Sequence, residues 1–118
     1  MVTNYLDMFK NLQISKKELS NKLGGNLHTV KLETPATVFN TDVINALKAI
    51  RNGRISLNQL LDWVNTVWFT DLFEYDDEYA DSIASVLDKL EDLDEDDRKL
   101  TESDIDMYID ALLKNKEV

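Results

Sequence analysis

The densest run of reactive side chains lies at residues 69–78, FTDLFEYDDE, where Phe69, Phe73 and Tyr75 interleave with Asp71, Glu74, Asp76, Asp77 and Glu78, and Asp81 follows three residues on. Carboxylates at this density could do three kinds of chemistry. They could work as a general acid and base, hold a cation, or stand in for phosphates in front of a basic partner. Acid catalysis needs one carboxyl with its pKa raised in an apolar cleft. Glu74, between Phe73 and Tyr75, is the acid in this run that best meets the requirement. The remaining carboxylates crowd one another at polar positions, which favours the third kind.

Cation binding is tested at residues 92–103. Asp92, Asp94 and Asp96 match the first, third and fifth positions of a calcium loop. Asp97 then stands where the turn requires Gly, and Ser103 where a bidentate Glu must close the site. The segment 92–99 therefore reads as a solvated acidic loop, and no metal site is read. Nucleophilic catalysis fares no better. The single histidine, His28, has no cysteine to activate and no nucleophile-elbow serine in the sequence. Gly24, Gly25 and Gly53 sit at expected helix ends, not in a strand–loop–helix phosphate cradle. The expectation is a non-enzyme without cofactor.

Charge then separates the partner classes. The net charge is −10 and the pI about 4.4, which disfavours nucleic acid, since phosphate binding rests on Lys and Arg. The acids are also segregated. Residues 1–70 carry a net +3 and residues 71–118 a net −13. Such a layout presents an acidic face to a basic protein, or keeps a small protein soluble. With no cysteine there is no disulfide framework. No apolar run reaches the ~20 residues that cross a bilayer. The N-terminus, MVTNYLDMFK, has no secretory-signal pattern. These features suit a cytoplasmic protein with no membrane partner.

The elements that must position these groups are helical. A first helix is expected over 3–12, with Tyr5, Leu6, Phe9 and Leu12 as its apolar stripe. Ser15 and Glu18 form a capping box for a second, which Gly24-Gly25 stops. Residues 27–39 alternate weakly and break at Pro35. They pair as a small β-hairpin or cross as an irregular segment, and the hairpin is preferred. Asn40 or Thr41 caps a third helix over 42–52. Gly53 ends it, and Ser56 with Gln59 caps a fourth over 57–68. Leu57, Leu60, Leu61, Val64, Val67 and Trp68 share one face of that helix, with Trp63 at its edge and Thr66 on the far side. A fifth helix spans about 77–92, and a sixth starts at Thr101. The reading is a mainly α, single-domain (1–118) antiparallel bundle of about six short helices, with a small hairpin near 27–39.

Two resemblances bear on function. ISKKELSNKLGG resembles the start of a helix-turn-helix motif, but the residues after it are rich in β-branched side chains and include Pro35, a poor recognition helix. The run ALKAIRNGRISLNQLLDWVN resembles the helix–Gly–Ile-Ser–helix–Trp pattern of colicin-D-type and related bacterial immunity proteins, through Gly53, Ile55, Ser56, Leu60, Asp62 and Trp63. It covers about twenty of the 118 residues. The resemblance implies a helical protein that binds a cognate nuclease-type toxin and blocks its basic cleft. The surface expected to do so comprises Phe69, Asp71, Phe73, Glu74, Tyr75, Asp76, Asp77, Glu78 and Asp81. The alternatives are a non-catalytic adaptor or a phage-derived or antitoxin-like regulatory protein, and, further off, a helix-turn-helix DNA-binding regulator.

Overall fold

Three capping boxes set the helical frame in the computed structural model, which describes residues 2–24, 36–70, 72–96 and 100–118. Ser15 Oγ accepts from the Glu18 N–H while the Glu18 carboxylate accepts from the Ser15 N–H, opening the helix Lys16–Leu23. The same reciprocal pair joins Ser56 with Gln59 and Thr101 with Asp104. Each satisfies two of the N–H groups that a helix start leaves without intrahelical partners.

The described residues form six helices: α1 (Val2–Lys10), α2 (Lys16–Leu23), α3 (Asn40–Arg51), α4 (Leu57–Phe69), α5 (Ala80–Asp96) and α6 (Glu102–Lys114). Two three-residue strands, β1 (Ala36–Val38) and β2 (Phe73–Tyr75), complete them. The chain is thus mainly helical, as its periodicity predicts. α1 packs on α2, α3 on α6, and α4 on α5, with α5 also touching α6. One apolar cluster runs from Leu6 to Leu112, and Trp63, Leu60, Leu72, Ile83 and Leu87 are among its fully buried members. No helix among the described residues is long and apolar enough to cross a membrane.

Several expectations need correction. β1 lies within the segment read as a hairpin, but its partner is β2, in parallel, with Ala36 opposite Phe73 and Val38 opposite Tyr75. The other arm of that hairpin, 27–35, lies outside the described residues, as do His28 and the segment that would follow α2 in a helix-turn-helix. α5 continues to Asp96 through most of the stretch read as a loop, so Asp92, Asp94 and Asp96 are helical and do not form a calcium loop. The acid-rich start of that stretch is compatible with a helix because Leu90 and Leu93 keep the apolar stripe going. Thr66, read as outward, is fully buried. Its hydroxyl donates to the Asp62 carbonyl one turn back at 2.7 Å, which removes the penalty of burying it.

α3 starts at Asn40, and neither Asn40 nor Thr41 caps it. The Asp42 carboxylate reaches back to accept from the Phe39 N–H at 2.8 Å. The Asn40 amide is used elsewhere, donating to the Leu112 carbonyl at the end of α6. α1 ends in a Schellman turn: Gln13 N–H donates to the Met8 carbonyl and Leu12 N–H to the Phe9 carbonyl. Its left-handed position is Leu12, at φ 66°. The equivalent positions after α2, α3 and α6 carry Gly24, Gly53 and Asn115. A leucine there sacrifices about 1 kcal/mol or more of backbone energy.

Candidate functional site

The acidic turn after α4 is held by groups from β1, α5 and the residue that follows α6. Past α4, the Thr70 hydroxyl donates to the Thr66 carbonyl at 2.6 Å and Leu72 plugs the core. In β2 successive side chains alternate. Phe73 points inward, Glu74 outward, and Tyr75 lies half-buried with its ring stacked on Trp68, centroids 6.1 Å apart and planes 13° from parallel. The turn that follows is tied to three elements. Asp76 N–H donates to the Val38 carbonyl of β1 at 2.9 Å. Tyr79 N–H donates to the Asp76 carbonyl at 3.1 Å, and the Tyr79 carbonyl accepts from Ile83 N–H and from the Ser82 hydroxyl of α5. The Asn115 amide, beyond α6, donates to the Glu78 carbonyl at 2.8 Å.

On this backbone Glu74, Asp77, Glu78 and Asp81 are exposed and Asp76 is half-exposed. Glu74 accepts weakly from the Thr37 hydroxyl at 3.4 Å. Among the described residues none of these five carboxylates has a cationic partner. The ion pairs lie elsewhere, Lys10 with Asp7 and Asp42, Arg51 with Asp106, and Lys114 with Asp110. Asp81 occupies the first turn of α5, and Asp76–Glu78 immediately precede it. The positive end of the helix dipole therefore lowers the energy of holding these charges together. Burial pushes the Tyr75 phenol up to about 12 from its ordinary 10.0, and its hydroxyl donates to the Val67 carbonyl at a long 3.5 Å.

The expected surface is therefore brought together in part. Glu74, Tyr75, Asp76, Asp77, Glu78 and Asp81 share one turn. Phe73 does not belong to it: the residue is buried at 7% exposure, with its ring 6.1 Å from Phe9, and the inward phase of β2 puts it in the core. Asp71 and the side chain of Phe69 lie outside the described residues. Trp68, Thr37 and Asn115 support the turn and were not expected to. The seven-residue interval from Trp68 to Tyr75 hints at the stack, but Thr37 and Asn115 are each 37 residues from the groups they bond, and no local pattern reveals them.

Other chemistry finds little support. Glu74 stands in solvent and not in an apolar cleft. Asp88, Glu91 and Asp92 have carboxylate oxygens within 4.8 Å of one another. Asp88 lies one turn before Glu91 and Asp92 on α5, and acidic groups clustered in this way are common without an ion. No family model, curated protein or solved structure matches this chain.

Proposed function

We propose that the chain is a non-catalytic protein-binding module whose acidic turn, Glu74–Asp81, engages a basic protein, acting as an immunity-type inhibitor of a nuclease-type toxin. One observation carries this reading. Five carboxylates without cationic neighbours among the described residues sit on a backbone pinned to β1, α5 and α6. A pinned turn loses little conformational freedom on binding, so more of the electrostatic attraction is left as affinity. Clustered negative charge accelerates encounter with a positive cleft about ten- to a thousandfold. Spaced carboxylates also present such a cleft with the anionic oxygens it is built to hold. The half-buried Trp68–Tyr75 stack flanks the acids and supplies an aromatic anchor of the kind that dominates interfaces.

The test is capture from a native cell lysate at low salt, followed by kinetics on the captured protein. The expected result is a basic nuclease that elutes at high salt and whose association slows at least tenfold with the triple variant Asp76→Lys, Asp77→Lys, Glu78→Lys. A control that reverses Asp88, further along α5, and Glu102, at the end of α6 opposite Asn115, both exposed, should change it far less. An unchanged on-rate in the triple variant removes the turn from the mechanism. A basic partner without nuclease activity turns the module into an adaptor.

A further inference from the structure

A second site lies where the α1–α2 turn meets the start of α4. A cleft of about 200 Å³ opens there, floored by Phe9, Leu12, Ile14, Ile55 and Trp63. It is somewhat larger than the ~150 Å³ apolar cavity that accommodates benzene, so it admits one small molecule with a branched or aromatic body. Its rim is polar and of mixed sign. Lys16 and Asp62 both line it, yet the ion pairs among the described residues lie elsewhere and do not join them to each other or to a third group. Glu18 and Gln59, also on the rim, each use one oxygen in a capping box. That leaves a carboxylate oxygen of Glu18 to accept and the amide NH₂ of Gln59 to donate.

Leu12 adds an independent pointer. It holds the left-handed position that glycine or asparagine occupies after α2, α3 and α6, and its side chain is part of the cleft floor. Backbone strain of this kind concentrates at binding sites. Here it retains an apolar side chain where the turn alone would favour none.

We propose that this cleft binds a zwitterionic α-amino acid with a large aliphatic or aromatic side chain. The side chain enters the apolar floor, the ammonium meets Asp62 and the free oxygen of Glu18, and the carboxylate meets Lys16 and the Gln59 amide. The site is separate from the acidic turn and stands whether or not that turn binds a protein.

The experiment is a titration of the full chain with free L-leucine and L-phenylalanine. It is followed in amide NMR spectra at the Trp63 indole N–H, which is hydrogen-bonded to the Lys10 carbonyl. The expected result is a saturable shift with a millimolar dissociation constant. L-Alanine, lacking most of the apolar body, should bind at least about tenfold more weakly. N-acetyl-L-leucine and L-leucinamide, each lacking one charge, should bind about two- to fivefold more weakly. Asp62→Asn should weaken L-leucine but not N-acetyl-L-leucine, and Lys16→Gln should weaken L-leucine but not L-leucinamide. Neither side chain is buried, so both variants should melt like the parent. Absence of a saturable shift, equal shifts from alanine and leucine, or unchanged leucine binding in both variants would each overturn the assignment.

Discussion

Replacing Lys10 by Met should destabilise the fold far more than an ordinary lysine substitution. The ammonium donates to the Thr37 carbonyl at 2.9 Å, lies 3.4 Å from the Asp42 carboxylate, and sits 5.5 Å from the centre of the Phe39 ring. Both charged side chains are only 11% exposed, so the few tenths of a kcal/mol typical of surface pairs do not apply. Methionine keeps the apolar stem, so packing is largely retained and the charge is what is removed. Losing the charge-assisted bond to β1 costs about 1.5–3 kcal/mol. Removing one partner of a buried pair costs about 3–5 kcal/mol when the other charge is stranded. Asp42 is not wholly stranded, since it keeps the Phe39 N–H and the start of α3, and a helix N-terminus favours an anion. The expected loss is therefore about 2–4 kcal/mol, a fall in melting temperature of roughly 10 °C for a domain of this size. Urea unfolding followed by tryptophan fluorescence measures it. In the double variant Lys10→Met/Asp42→Asn part of the loss should be recovered, with a coupling of about 1 kcal/mol or more. A single variant within about 0.5 kcal/mol of the parent, or a coupling near zero, would show the ammonium to be solvated and refute the reasoning.

Three further expectations follow from the same geometry. Trp63→Ala, at a residue 1% exposed, should cost about 3–5 kcal/mol in the same assay, and a neutral effect would contradict its burial. Gly53→Ala meets no atom within 4 Å of the added Cβ, so its cost comes from φ +74° alone and should be about 1 kcal/mol. For Tyr75 the sign is fixed by burial. The unfolded phenol releases its proton near 10.0 and the folded one near 12, so between those values the unfolded chain binds fewer protons. The contribution is intact below pH 10 and is lost as the pH rises toward 12. Tyr75→Phe should flatten the decline of the unfolding midpoint across that window, and parallel declines would exclude the assignment.

Which parts of this structure can be read locally is a matter of interaction range. Ser15, Ser56 and Thr101 announce their helices because the bonded partner sits three residues away. Gly24 and Gly53 mark stops because a left-handed residue is a local demand. Leu12 meets the same demand with a side chain that normally avoids it, so the end of α1 is not marked by its residue type. At α3, Asn40 is a good cap by type, but its amide bonds Leu112, 72 residues away. The pairing of β1 with β2 is not legible for the same reason: hairpins are signalled by their turns, whereas parallel strands joined through two helices carry no local signal. In the acidic turn the clustering of Glu74–Asp81 was plain from the residues. The inward phase of Phe73 was not, because three residues are too few to fix which face is buried.

The parallel pair β1–β2 also closes the acidic turn through contacts between residues distant in sequence. Its strands are flanked by the Ala36 N–H bonded to the Leu72 carbonyl at one end and the Asp76 N–H bonded to the Val38 carbonyl at the other, and α3 and α4 span the chain between them. Contacts this far apart in sequence are slow to form, and three-residue strands add little stability of their own. Local opening of this closure would scatter the carboxylates while leaving most of the helical core in place. A partner that recognises the assembled turn therefore binds the closed form alone and holds it shut, adding about 2.7 kcal/mol when present at a hundred times its dissociation constant. The proposed recognition thus depends on the closed β1–β2 pair, and a chain in which that pair has opened, though equally acidic, has no organised surface to offer.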